Sequence, residues 1–292
     1  MKISDKTKTT IGIIGYGVVG KATGELFKKS RIVSSILKYD KYAPEHNSGS
    51  LFDVLSQSTF LFLCLPTPFY KDSERIDLSA FEEILEVIDK EHSGKNVIIK
   101  STVVPGTTSA WEAKYTNTKF AFCPEFLTEA NYIHDAKNPD RFIVGSSSEN
   151  LNKTIVQLHI GLFDSYPKIF MCGSIEAEIA KYAANCFLAT KVMFANEMSN
   201  IAEHFGVSWN DQVSKLVTSD PRIGASHFSV SKDKGFSGKC FPKDTIAILG
   251  LMKDLDIDSS VLSAVWEKNK VIRQNHDWLD IPGVVTEKPN KV

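Results

Sequence analysis

The chain has 292 residues, is 42% hydrophobic and 24% charged, and carries a net charge of −1. That length accommodates one large or two ordinary domains with a sizeable core, and the balanced charge argues against bulk binding to nucleic acid or to a membrane surface. The five cysteines, Cys64, Cys123, Cys172, Cys186 and Cys240, form an odd set with no CxxC pair; no disulfide framework or zinc knuckle is indicated, no metal is expected, and a reducing, cytoplasmic compartment fits.

The N-terminal MKISDKTKTT is polar and lacks the apolar core of a signal peptide. Short runs rich in β-branched and aromatic residues follow: TIGIIG (10–15), IVSSILKY (32–39), TFLFLCL (59–65), NVIIKS (96–101), KFAFCP (119–124) and RFIVG (141–145), with YPKIF (166–170) as a last candidate. Each reads as a strand. Helix-like stretches such as LSAFEEILEVIDKEH (78–92) separate several of them. This alternation predicts a Rossmann-like, doubly wound parallel sheet with helices on both faces over residues 1–172. The longest strongly apolar run, FLFLCL (60–65), is too short to span a bilayer.

Beyond residue 172 the pattern turns helical. Residues 174–206 contain no proline, and no glycine before the end, so they predict one unusually long helix. A shorter helix is expected at 208–218, a Ser-, Gly- and Lys-rich loop at 219–241, and helices at about 243–254 and 259–279. This all-helical domain, 173–280, is expected to serve substrate binding and dimerisation, with 281–292 as an irregular tail.

The first strand candidate runs into Gly15-Tyr16-Gly17-Val18-Val19-Gly20, a GxGxxG that opens the helix-like KATGELFKKS. Gly15 allows the tight turn, Gly17 lets the backbone approach a pyrophosphate, and Gly20 lets the helix pack on the strand. Asp40 closes the second strand about 20 residues later, where a carboxylate binds ribose hydroxyls and repels a 2′-phosphate. NAD is favoured over NADP, although Lys38 and Lys41 lie close enough to weaken that preference.

Three polar pairs stand four residues apart: Glu125 and Glu129 in PEFLTE, Lys181 and Asn185 in KYAAN, and Cys240 and Asp244 in CFPKD. If helical, each pair shares a face. For a single pair a solvated face is the plainer account, but Lys181 sits among small and apolar residues and there needs a partner. Together the groups suit one chemistry. A cysteine can add to an aldehyde, Lys181 and Asn185 can donate to the resulting oxyanion, and Asp244 or Glu129 can orient water. Cys240 also follows Gly238 and Lys239, a setting that favours a thiolate, whereas the other four cysteines lie in apolar segments and read as packing.

These motifs resemble the UDP-glucose/GDP-mannose dehydrogenase family. The match runs in order through GYGVVG, LPTPF (65–69), STVVPGTT (101–108), PEFLTEA (124–130), KYAAN, DPRIG (220–224) and GFSGKCFPKD (235–244). The resemblance implies oxidation of a nucleotide-sugar C6 alcohol to the uronic acid, with two NAD consumed and Cys240 carrying the thiohemiacetal and thioester. UDP-glucose is the first substrate expected, with UDP-N-acetylhexosamine and GDP-mannose as close seconds. The cofactor would be met by Gly15, Gly17, Val18, Val19, Asp40, Pro66, Thr67, Thr102 and Glu129. Lys181 and Asn185 would stabilise the oxyanion, and Thr102, Glu129 and Asp244 would handle the catalytic water and its proton. Glu125, Phe126, Leu127, Phe236, Gly238 and Phe241 would line the sugar, and Arg222 would reach it from a neighbouring subunit of a homodimer built on the long helix.

Departures from the family pattern are Val104, Ala130 and Ser237, none of which removes a proposed catalytic group. The resemblance also implies a third domain that grips the nucleotide, to which this sequence does not extend; a natural short form, half of a split enzyme and a cut-down chain all fit. Two other readings remain open. One is a two-electron β-hydroxyacid dehydrogenase, which has no need of Cys240. The other is a non-catalytic NAD-binding subunit.

Overall fold

The structure is a computed structural model that describes residues 9–71 and 73–287. Most of the polar N-terminal segment and the last residues of the tail lie outside that range. In chain order the elements are β1 (Thr9–Ile14), α1 (Val18–Phe27), β2 (Val33–Tyr39), α2 (Leu51–Gln57), β3 (Phe60–Leu63), β4 (Phe69–Tyr70), α3 (Ser79–Glu91), β5 (Asn96–Ile99), α4 (Thr107–Lys114), β6 (Lys119–Phe122) and α5 (Tyr132–Lys137). Then come β7 (Arg141–Gly145), α6 (Glu149–His159), β8 (Lys168–Cys172), α7 (Ser174–His204), α8 (Ser214–Thr218), α9 (Phe241–Asp254), α10 (Ser260–Ile272) and β9 (Val285–Thr286). The chain divides into two compact units, one of residues up to Thr67 with Leu78–Lys181, the other of Pro68–Asp77 with residues from Tyr182 onward.

The first unit is an α/β sheet of seven strands in the order β2-β1-β3-β5-β6-β7-β8. The first five strands in that order run parallel. β7 meets β6 antiparallel, through Phe122 and Gly145, and then pairs parallel with β8. A sheet covered on both faces must be apolar at consecutive positions, and it is. Ile11, Ile13, Phe62 and Ile98 enter one core. Their neighbours Ile14, Leu61, Leu63, Val97 and Ile99 enter the other, as the two-residue period of a strand requires. Strand order reverses direction beside β1, so the turns after β1 and β3 leave the sheet at a switch point, the usual ligand crevice of such sheets.

α7 is the long helix expected, 31 residues without a break. Its first turns are anchored in the first unit by Glu178, which is fully buried. The Glu178 carboxylate accepts from the backbone N–H of Gly106 at 2.7 Å and of Thr108 at 2.9 Å, and from the Thr108 hydroxyl at 2.5 Å. It thereby answers the unpaired donors at the start of α4. Burial pushes this carboxyl above its ordinary range, opposed by those same hydrogen bonds.

In the second unit, residues 208–218 are not one regular helix. A π-helical turn at Trp209–Val213, capped by the Ser208 side chain, leads into α8. α10 ends at Ile272 rather than near 279, because the chain turns extended at Arg273 and resumes as a 3-10 turn at Asp277–Leu279. The tail is partly ordered into β9, which pairs parallel with β4. The Phe69 N–H donates to the Val284 carbonyl at 2.9 Å, and Phe69, Ile246, Trp278 and Val284 form a small core of their own. Among the described residues no helix is long and apolar enough to cross a membrane.

His159, 2% exposed, is ringed by Phe27, Phe62 and Phe142 with centroids 4.9, 6.0 and 4.6 Å away. Burial first, and the charge of Lys100 second, push its imidazole down to about 3. The folded state therefore keeps His159 neutral where the unfolded chain takes a proton. Its stabilisation is complete above pH 6.5 and is lost as the pH falls from 6.5 toward 3. Urea titrations below pH 6.5 are expected to show a slope of up to about 1.4 kcal/mol per pH unit from this group. The difference between wild type and His159→Gln isolates it, and parallel curves for the two proteins would remove the assignment.

Candidate functional site

The glycine turn has the geometry its sequence demands. Gly15 takes φ +86°, and a Cβ there would stand 2.5 Å from the Cys64 carbonyl oxygen. At Gly20 a Cβ would come within 2.1 Å of the Gly15 carbonyl oxygen, so only glycine lets α1 pack this close to β1. A Cβ at Gly17 would meet no protein atom within 4 Å. The backbone is thus bare where α1 begins, and the first-turn N–H groups of Val18 and Val19 point out of a helix N-terminus, an anion-binding arrangement. These features fit a dinucleotide pyrophosphate.

Asp40 stands beside that turn. Its Oδ2 accepts from the Tyr16 N–H at 2.6 Å, and Oδ1 accepts from the N–H groups of Tyr42 and Ala43 at 2.8 and 3.1 Å. The carboxylate is fixed next to the glycine turn, which suits ribose binding. The two lysines that weakened the NAD preference have other neighbours: Lys38 lies 4.8 Å over the Tyr16 ring, and Lys41 is 3.8 Å from Glu83. Past β3, Pro66 is exposed and Thr67 buried, while the Ser101 hydroxyl ties the β5 turn back to the Leu65 carbonyl at 2.6 Å. Thr102 follows, half-buried.

Residues 124–128 are not helical, so Glu125 and Glu129 do not share a helix face. The Glu125 carbonyl, which would accept the next helical bond, instead accepts from Lys181 Nζ at 2.6 Å. Asp135 takes up both the N–H and the hydroxyl of Thr128, at 2.7 and 2.5 Å. The Glu125 carboxylate pairs with Lys100, a residue singled out by nothing in the sequence except a charge at the end of an apolar strand. Phe126 lies between two cations, Arg141 at 3.9 Å and Lys181 at 5.0 Å from its ring centre. Leu127 is half-buried, and Glu129 is exposed in a 3-10 turn.

On α7 and α9 the helical spacing holds. Asn185 follows Lys181 by one turn of α7. Cys240 is the N-cap of α9, and its carbonyl accepts from the Asp244 N–H at 2.8 Å. The Asp244 carboxylate is 1% exposed. Its Oδ2 accepts from Asn185 Nδ2 and its Oδ1 from Lys243 Nζ, both at 2.6 Å. Lys243 was missed from sequence although it adjoins Asp244; its side chain is nearly buried, so the pair is shielded from water.

The loop before Cys240 is clamped from α10. Asn269, fully buried, accepts from the Phe236 N–H at 2.7 Å and donates to the Phe236 carbonyl at 3.1 Å. Arg273 donates to the Lys234 carbonyl at 2.9 Å and to Asp277, and Asp277 also accepts from the Ser237 hydroxyl. Ser237, a departure from the family pattern, thus gains a partner of its own. Phe236 is buried against Phe241 and Trp266. Gly238 takes φ +83°. Arg222 is 88% exposed and bonded to Asp220 of its own chain. Among the described residues no group of three or more His, Cys, Asp or Glu could hold a metal ion.

The cysteines divide sharply. Cys240 is exposed at the N-terminus of α9. Burial pushes Cys64 and Cys186 up to about 12 and raises Cys123 and Cys172.

Residues 46–162 match the NAD binding domain of the UDP-glucose/GDP-mannose dehydrogenase family, and residues 175–271 match its central domain. A UDP-glucose 6-dehydrogenase of Rickettsia felis is 32% identical over 280 residues, covering 89% of this chain and 61% of that protein. The UDP-glucose 6-dehydrogenase TuaD of Bacillus subtilis is 34% identical over 295 residues, covering 89% and 62%. The chain thus spans about three fifths of the length of these relatives. The structure of a UDP-glucose dehydrogenase from Pyrobaculum islandicum superimposes with a TM-score of 0.79 at 25% identity, over 91% of this chain and 68% of that one.

In a timed reaction of the native protein with an aromatic disulfide reagent, one thiol of the five is expected to react fast. Cys240→Ser should abolish the fast phase, and Cys64 and Cys186 should react only on unfolding. A fast phase that survives Cys240→Ser would remove Cys240 as the reactive thiol.

Proposed function

The chain belongs to the UDP-glucose/GDP-mannose dehydrogenase family, and we propose that it is an NAD-dependent oxidoreductase that takes the C6 alcohol of a nucleotide sugar to the uronic acid. UDP-glucose to UDP-glucuronate is the first candidate reaction. The observation that carries the reading is the exposed Cys240 at the start of α9, with buried Asp244 one turn on, held by Asn185 and Lys243. A packing cysteine needs no such company; a nucleophile does.

The turn at Gly15, Gly17 and Gly20 would cradle the cofactor pyrophosphate, Asp40 its ribose, and Pro66, Thr67 and Thr102 the rest. NAD, when bound, supplies the hydride acceptor. Removal of a hydride and a proton from the alcohol gives the aldehyde. The Cys240 sulfur adds to the aldehyde carbon, and the carbonyl oxygen becomes the oxyanion of a thiohemiacetal. Lys181 and Asn185 would donate to that oxygen, the charge-stabilising role with the largest usual effect. Loss of a second hydride leaves a thioester. Water, oriented by Asp244 and by Thr102 or Glu129, then releases the acid and returns the thiol. Glu125, Phe126, Leu127, Phe236, Gly238 and Phe241 are assigned to the sugar.

We assign the dimer to α7. Phe187, Phe194 and Ile201, seven residues apart, are 67%, 55% and 52% exposed. One such stripe is self-complementary about a two-fold axis, so a second copy of the chain is its occupant. Arg222 would reach the partner's substrate. Five free thiols support a reducing cytoplasm.

With limiting UDP-glucose, two NADH per sugar are expected, and Cys240→Ser should stop uronate formation. One NADH per sugar in the wild type would favour the β-hydroxyacid dehydrogenase reading, and NAD binding without turnover the non-catalytic one. In light scattering, Phe194→Glu should convert a dimer to a monomer; a wild-type monomer would remove the α7 assignment.

A further inference from the structure

The chemistry above leaves one buried cation unused. Lys100 follows the last residue of β5 and is 4% exposed. Its ammonium pairs with the Glu125 carboxylate and lies 3.4 Å from Cys123 Sγ. Burial works against the charged form of Lys100, and the Glu125 carboxylate beside it works for it. The groups facing it are Cys64 after β3, Cys123 and Glu125 after β6, and His159 on α6. Burial keeps both thiols protonated and the imidazole neutral. Glu125 is therefore its counter-ion.

Desolvating an ion pair is costly, and an apolar pair of similar volume is often at least as stable. Stability alone is a poor reason to find a lysine at the end of this strand. What the pair achieves is geometric. Lys100 holds the Glu125 side chain from inside the sheet, while the Glu125 carbonyl holds Lys181 Nζ at 2.6 Å. Lys181 also lies 5.0 Å from the Phe126 ring, so its ammonium meets two consecutive residues, the first of which Lys100 grips by its side chain.

We infer that Lys100 is a positioning residue: it pins Glu125 from below, and through the Glu125 backbone it fixes the Lys181 ammonium where the oxyanion forms. The inference rests on the dehydrogenase reading above. It predicts a loss in kcat rather than in sugar binding, since misplacing a catalytic group by about 1 Å costs on the order of 100-fold.

The test is steady-state kinetics on the full chain with NAD and UDP-glucose, for wild type, Lys100→Met, Lys100→Arg, Glu125→Gln and the double variant Lys100→Met/Glu125→Gln. Lys100→Met is expected to lower kcat about 100-fold with KM for the sugar changed less than about threefold. Lys100→Arg, which keeps the charge, should recover most of that loss. The double variant should be no slower than the slower single, because both act along one path. A wild type that makes no NADH overturns the dehydrogenase reading, and this inference with it. An active wild type with Lys100→Met within twofold of it overturns the inference alone. Equal losses in Lys100→Met and Lys100→Arg, tracking a fall in melting temperature, would reduce Lys100 to a structural role. Should Lys100→Met fail to fold, Lys100→Arg and Glu125→Gln still decide. A KM-led loss in Lys100→Arg, or a Glu125→Gln enzyme with unchanged kcat, overturns the inference.

Discussion

The fully buried Glu178 carboxylate is the contact on which the seating of the start of α7, and of Lys181 with it, in the first unit depends. It sits one turn into α7 and takes three hydrogen bonds from the start of α4. A carboxylate with these partners is worth more than a neutral cap, because it meets unpaired N–H donors and the positive end of a helix dipole together. The anchor sets both the axial position and the rotation of α7 on its sheet. Lys181 comes three residues later in the same unit, and the Glu125 carbonyl then holds its ammonium.

Charge is buried on both compact units and is met by hydrogen-bond donors, acceptors or an opposite charge. In the first, Lys100 meets Glu125. In the second, Asp244 meets Lys243 and Asn185. Neither arrangement is a cheap way to stabilise a fold. Both occur at the ends of elements, after β5 and in the first turn of α9, where side chains can be aimed without disturbing a sheet or helix ladder. The acid at 244 also lies where a helix N-terminus favours negative charge. The cysteine at the same terminus remains exposed. The loop that presents it takes positive φ at Gly235 and Gly238, and Asn269 and Arg273 hold its backbone at Phe236 and Lys234.

The strands, the long helix and the glycine turn were legible because each is a local matter. Apolar residues at a two-residue or helical period report which faces must leave water. A glycine at φ +86° reports a backbone that other residues resist. The family motifs named the cysteine and its partners for the same reason, as short strings with fixed spacing. Local reasoning failed where a distant group intervened. Glu125 and Glu129 have helical spacing, yet Lys181 occupies the carbonyl that a helix would need. The last helix was read as running on to 279, yet the chain turns out at Arg273, whose guanidinium binds Lys234 and Asp277. The tail read as irregular, because two residues of β9 carry no pattern and gain order only by pairing with β4.

The sequence by itself therefore determined the fold class, the dinucleotide turn, the cysteine at the head of a helix and the residues four apart on α7. Periodicity, glycine conformation and motif spacing act over a few residues and can be read in order. The tertiary structure alone decided which partner each buried charge meets: Asp244 the amide of Asn185, 59 residues away, and Lys100 the carboxylate of Glu125 on a neighbouring strand end. The reason is physical. A buried charge must find its counter-charge wherever packing places one, and that choice is made in space, between segments whose separation along the chain carries no signal.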